Sequence, residues 1–206
     1  MTRRLNTFNV IAPFYDLLGT LVFWGSLHRS QLTFIGELRG SKAILILGGG
    51  TGRILPLVLD NAPQATIVFI DASAEMIARA KQRVSPTTHI RFVHGTEEYI
   101  PDDVYFDAVI TNFYFDLFPE PELLQVLSVI KSRLSRKALW LVTDFVAVKP
   151  WHNFMLQLMY LMFRRIGSVE NSRLPDWATA LKVSGFEVKS VRYFCAGFIR
   201  SSVSTN

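Results

Sequence analysis

The stretch KAILILGGGTGRIL, residues 42–55, runs from unbroken apolar residues into four glycines within five positions and then toward a helix. Lys42–Leu47 reads as a strand buried on both faces, because no polar residue alternates with the apolar ones. At the end of such a strand, residues without a Cβ let the backbone turn tightly and let a ligand approach it. Ile54–Asn61 follows as a short helix. Gly48, Gly50 and Gly52 alternate, whereas a dinucleotide fingerprint needs its third glycine where Arg53 stands. The loop therefore argues against NAD and FAD.

Working outward, strand-like and helix-like segments alternate. Strands are predicted at Ala65–Asp71, His89–His94, Phe106–Asn112 and Ala138–Phe145. Ser73 can cap a helix carrying Met76, Ile77 and Ala80, and Pro119–Leu134 reads as another helix with Pro121 in its first turn. Alternation of this kind implies right-handed crossovers and a parallel sheet. The tail differs: a helix at Pro175–Ser184 is stopped by Gly185, and Phe186–Phe194 and Phe198–Ser204 are too close for a crossover. The fold class expected is α/β, a Rossmann-like doubly wound seven-stranded sheet, mostly parallel with a C-terminal antiparallel hairpin. No internal repeat or linker divides residues 1–206, so one domain is expected.

Half the residues are hydrophobic, 19% are charged and the mean hydropathy is +0.25, which excludes disorder. A net charge of +5 is mild, and its densest patch, Lys131, Arg133, Arg136 and Lys137, falls where a helix should end. No nucleic-acid motif accompanies it. The single cysteine, Cys195, excludes a disulfide framework and reads as a small core residue. No HExxH, CxxC or GxSxG pattern is present, so no metal is expected. Ile11–Trp24 and Phe154–Phe163 fall short of the ~20 apolar residues of a membrane span. With no signal-peptide pattern, the expected location is cytoplasmic, with peripheral membrane contact left open.

Asp71 ends the second strand, 19 residues after Gly52, where a carboxylate can accept hydrogen bonds from two ribose hydroxyls. AILILGGGTGRIL (43–55), IVFIDASAEMIARAKQRV (67–84) and FDAVITNFYFDLF (106–118) resemble successive motifs of class I S-adenosylmethionine (SAM)-dependent methyltransferases. The likeness continues through LVTDF (141–145) and SGFEVKSV (184–191), and the terminal hairpin distinguishes that sheet from a plain dinucleotide fold. The resemblance implies SAM as cofactor, with Gly48, Gly50 and Gly52 along its methionine part and Asp71 on its ribose. It implies Ala72 and Met76 flanking the adenine, Thr96 and Glu97 near the adenine amino group, and Asn112 near the methionine end. The family usually has an acid where Ile46 stands, so the methionine ammonium needs another partner.

Phe8–Arg29 contains IAPFYDLL, which resembles the opening of ubiquinone and menaquinone C-methyltransferases and that of bacterial phospholipid N-methyltransferases. Residues 1–40 are expected to form a helical cap over the site, with Tyr15 either facing the sulfonium or packing its helix. Residues 146–174, containing WHNFMLQLMYLMFRR, are expected to form a helical insertion beside the acceptor, as a core helix or as a pocket wall. His152, Asp116, Tyr114 and Asp144 follow strands four and five, where a proton acceptor would be needed, and His152 is the best placed by intrinsic pKa. The expected catalytic set is His152, Asp116 and Tyr15. The expected function is methyl transfer from SAM to a small lipophilic acceptor, a quinone or phenol precursor or a lipid-like amine. The alternative is a non-catalytic SAM- or nucleoside-binding subunit.

Overall fold

The computed structural model describes residues 25–86, 89–165 and 174–206, with no side-chain description beyond Gln157 in the helix that reaches Arg165. Seven strands form one sheet in the order β3-β2-β1-β4-β5-β7-β6. They are β1 (Ala43–Leu47), β2 (Thr66–Asp71), β3 (Ile90–His94), β4 (Phe106–Asn112), β5 (Leu134–Phe145), β6 (Glu187–Phe194) and β7 (Ile199–Thr205). The first five run parallel, and β7 is antiparallel to both β5 and β6. The expected fold class is borne out.

Both faces of β1 are covered, which is why its sequence is apolar throughout. Ile44 and Ile46 pack with Val58 of α2 (Leu55–Asn61) and Ile77 of α3 (Ala74–Lys81), while α1 (Ser26–Leu32) lies against β6 and β7. Leu45 and Leu47 pack on the other face with Leu127 of α4 (Glu120–Lys131) and Trp177 of α6 (Trp177–Val183). A third cluster, Phe113, Phe145, Leu156, Phe198 and Ile199, ties α5 (Pro150–Arg165) to the ends of β4, β5 and β7. Helix starts follow local chemistry: Ser73 Oγ accepts from Met76 N at 3.3 Å, and Asp176 Oδ1 accepts from Thr179 N at 3.1 Å.

Three expectations are corrected. Helix α4 stops at Lys131 and Leu134 already belongs to β5, where it pairs with Phe106 across an irregular register. Of the basic patch, only Lys131 therefore lies in the last helical turn, and its Nζ donates to Ser184 O at 2.6 Å. Cys195 is not a fully buried core residue: it lies half-buried in the β6–β7 turn with φ 50°, packed against the third cluster. Among the described residues, no helix is long and apolar enough to cross a membrane, and no group of three or more His, Cys, Asp or Glu side chains gathers as for a metal.

Candidate active site

Leu47 pairs with Ile70 on one side and Thr111 on the other. The glycine loop thus leaves β1 between β2 and β4, where the chain's strand order reverses and a crevice opens in such sheets. Gly48, Gly50 and Gly52 adopt φ of 61°, 57° and 70°, values that disfavour any side chain. Their surroundings differ. A Cβ on Gly52 would come within 2.7 Å of the Ala80 Cβ, so Gly52 serves the packing of α3, whereas one on Gly50 would meet nothing within 4 Å. Gly49 lies against the Phe69 ring. Ile46, at the position where the family resemblance implies an acid, is a core residue only 1% exposed.

Asp71 is fastened to this loop. Its Oδ2 accepts from Gly50 N and its Oδ1 from Ser73 N, each at 2.8 Å. Burial pushes its pKa up, while these two amides and His94 oppose the shift. A carboxylate offers roughly four acceptor directions, so two remain for a ligand's hydroxyls.

The far wall comes from the segment after β4. Phe113 takes a left-handed φ of 51° as its amide bonds Thr143 O at 2.7 Å. The strain is held by Asp144, whose Oδ2 accepts from Tyr114 N at 3.1 Å and Phe115 N at 2.9 Å. Its Oδ1 accepts from Phe145 N at 2.7 Å. The Tyr114 ring lies against Gly48, where a Cβ would meet Tyr114 Cδ2 at 2.7 Å. The Tyr114 hydroxyl donates to Glu97 Oε2 at 2.6 Å. Burial, then the Glu97 charge, holds the phenol well above its ordinary value, and Asp71 adds to the effect.

Gly48, Gly50, Asp71 and Glu97 are therefore brought together, with Tyr114 between them. Thr96 precedes the short 3-10 turn Glu97–Tyr99; Ala72 follows Asp71 directly and Met76 lies in the first turn of α3, with His94 Nε2 3.0 Å from Ala72 O. Asn112 pairs with Thr143, one residue past the Leu47–Thr111 pair, which puts it level with Gly48. Tyr15 lies outside the described residues.

His152 and Asp116 are not free bases. His152 Nδ1 accepts from Val148 N at 3.0 Å and Lys149 N at 3.2 Å, so its lone pair is taken by the backbone entering α5. The ring is fully buried against Phe198, and burial lowers its pKa. Asp116 Oδ1 is buried without a hydrogen-bond partner among the described residues. Burial, then the neighbouring Asp144, holds the Asp116 carboxyl well above the usual range. Asp144 is itself raised to about 7 by burial. The bridge from Tyr114 to Glu97 has no periodic signal in the sequence. The one hint of Asp144's task is its position as an acid in the apolar run ALWLVTDF.

Residues 44–137 match the family described as methyltransferase domain. Among solved structures, the 1,6-didemethyltoxoflavin-N1-methyltransferase of Burkholderia thailandensis, solved with S-adenosylhomocysteine, superposes with a TM-score of 0.68 at 14% identity. The match covers 98% of this chain and 87% of that one. The fold is that of the class I methyltransferases. This methyltransferase fold also has relatives by sequence. The demethylmenaquinone methyltransferase of Thermus thermophilus is 32% identical over 119 residues, 56% of this chain and 54% of that protein. A malonyl-[acyl-carrier protein] O-methyltransferase of Halalkalibacterium halodurans is 30% identical over 108 residues, 50% of this chain and 39% of that protein. The alignments span about half or less of these relatives' lengths.

Proposed function

We propose that the chain transfers the methyl group of SAM to a small lipophilic acceptor. The observation that carries this reading is the convergence of Gly50, Asp71 and Glu97 at one sheet edge, within a segment matching a methyltransferase domain. The residues suit the cofactor: Gly50 leaves open space, Asp71 keeps acceptor capacity, and Glu97 has a second carboxylate oxygen beyond the one held by Tyr114. In this reading Gly48, Gly50 and Gly52 line the methionine part and Asp71 holds the ribose. Ala72 and Met76 flank the adenine, Thr96 and Glu97 face its amino group, and Asn112 serves the methionine end. Bound SAM supplies a sulfonium-activated methyl group for in-line displacement. The chain's own contribution is then chiefly orientation of the two reactants.

The aromatic cluster of Phe113, Phe145 and Phe198 at the ends of β4, β5 and β7 supports an apolar acceptor. The exposed Val148, Trp151 and Phe154 at the start of α5 support peripheral contact with a lipid surface. Proton removal from the acceptor is not assigned to His152, because its Nδ1 already accepts from the amides of Val148 and Lys149. Tritiated-methyl transfer into an extract of the native host, followed by lipid extraction, tests the reading: label is expected in the organic phase. Label confined to the aqueous phase contradicts a lipophilic acceptor. The second reading, a SAM-binding subunit without activity, draws on the core position of Ile46 and the occupied Nδ1 of His152. Binding of SAM with no transfer under any condition would favour it.

A further inference from the structure

We infer that Tyr114 is a positioning residue for purine recognition, holding Glu97 so that one carboxylate oxygen faces the exocyclic amino group of the nucleobase. The inference rests on the cofactor reading above and deepens it. The Tyr114–Glu97 bond, 2.6 Å long, is a phenol donating to a carboxylate, a charge-assisted pair that fixes both partners. Tyr114 itself has little freedom. Its ring is wedged against Gly48 and stands edge-on to Phe118 with centroids 5.2 Å apart. Its amide is held by Asp144, and the preceding residue takes the left-handed turn that aims the side chain back over β1. A continuous strut thus runs from the end of β5, through the segment after β4, to the loop after β3.

Glu97 gains its fixed geometry from this strut. It lies in a three-residue 3-10 turn and is half-buried, so its own element does little to choose a rotamer. With Oε2 engaged by the phenol, Oε1 is the oxygen left to accept from a ligand. A carboxylate only accepts hydrogen bonds, so it favours a 6-amino purine and disfavours a 6-oxo purine, which presents another acceptor. The strut therefore sets nucleobase discrimination and not merely the stability of the loop.

The test is calorimetric binding of S-adenosylhomocysteine and of its 6-oxo analogue, S-inosylhomocysteine, to wild type, Tyr114→Phe, Glu97→Gln and the double variant. Phenylalanine keeps the ring packing and removes only the hydroxyl. Wild type is expected to prefer the adenosyl ligand by about tenfold or more, and Tyr114→Phe to reduce that ratio about fivefold. Its melting temperature should be close to that of wild type. In the Glu97→Gln background, Tyr114→Phe should change the ratio no further, because the hydroxyl acts through Glu97. If Tyr114→Phe weakens both ligands equally, or if wild type binds both alike, the inference is overturned while the cofactor reading stands. If wild type binds neither ligand at millimolar concentration, the cofactor reading fails and this inference with it.

Discussion

Asp71 and Asp144 end strands on opposite sides of the switch point, and both use their carboxylate oxygens to hold backbone amides of a neighbouring loop. They differ in what lies beyond the carboxylate. Asp71 sits beside Gly50, which faces open space, and has accepting capacity left over. Asp144 is fully buried beside Asp116, with three amides on its two oxygens. The comparison teaches that one device, a strand-terminal acid tying down a loop, can serve a ligand only where the loop leaves room. After β4 the same device builds a wall.

The sharpest way to break the comparison is Asp144→Ala. It leaves the amides of Tyr114, Phe115 and Phe145 without their acceptor, and is expected to destabilise the fold by roughly 3 kcal/mol in urea unfolding. A loss under ~1 kcal/mol would mean that the wall holds itself.

Asp71→Ala probes the other acid. It should weaken binding of S-adenosylhomocysteine by roughly 1–3 kcal/mol, or about fivefold to 150-fold, through the lost acceptor and the loosened Gly50 amide. Unchanged affinity would remove Asp71 from the site.

The acid pair sharpens the contrast through pH. Burial holds Asp144 near 7 and Asp116 well above its ordinary value, so the folded chain keeps protons that the unfolded chain releases above about pH 4. The stabilisation associated with those protons is complete below the unfolded carboxyl value and is lost as pH rises through about 7. Asp71, also raised by burial, contributes with the same sign. Asp116→Asn removes the like charge beside Asp144. It should add ~1–2 kcal/mol at pH 8 and flatten the fall in melting temperature between pH 5 and 8. An unchanged pH slope contradicts the pairing. The smallest effect is expected from His152→Ala: about 1 kcal/mol of stability, from the two amides at the start of α5, with affinity for S-adenosylhomocysteine within twofold of wild type. A large loss of affinity would bring His152 back toward the cofactor.

The cofactor half was legible because its constraints are local. A strand buried on both faces, a turn needing left-handed residues and an acid at a strand end each leave a short pattern, as in AILILGGGTG and TIVFID. The remaining contacts join residues far apart in the chain. Glu97 meets Tyr114 across 17 positions and Asp144 meets Tyr114 across 30, and no spacing rule announces either. The boundary between α4 and β5 was misplaced for a related reason. Leu134 continues the helical apolar stripe, yet it is taken by pairing with Phe106, a contact that only the assembled sheet supplies. His152 carried the right intrinsic pKa for a base, but its ring nitrogen is engaged by the amides of Val148 and Lys149.

The measurement that bears most directly on the central claim is calorimetric titration of the wild-type chain with S-adenosylhomocysteine, with NADH as the comparison ligand. One saturable site for S-adenosylhomocysteine, and no heat from NADH, is the result expected of a crevice built from Gly50, Asp71 and Glu97. Absence of S-adenosylhomocysteine binding at millimolar concentration, or preferential binding of NADH, would contradict it.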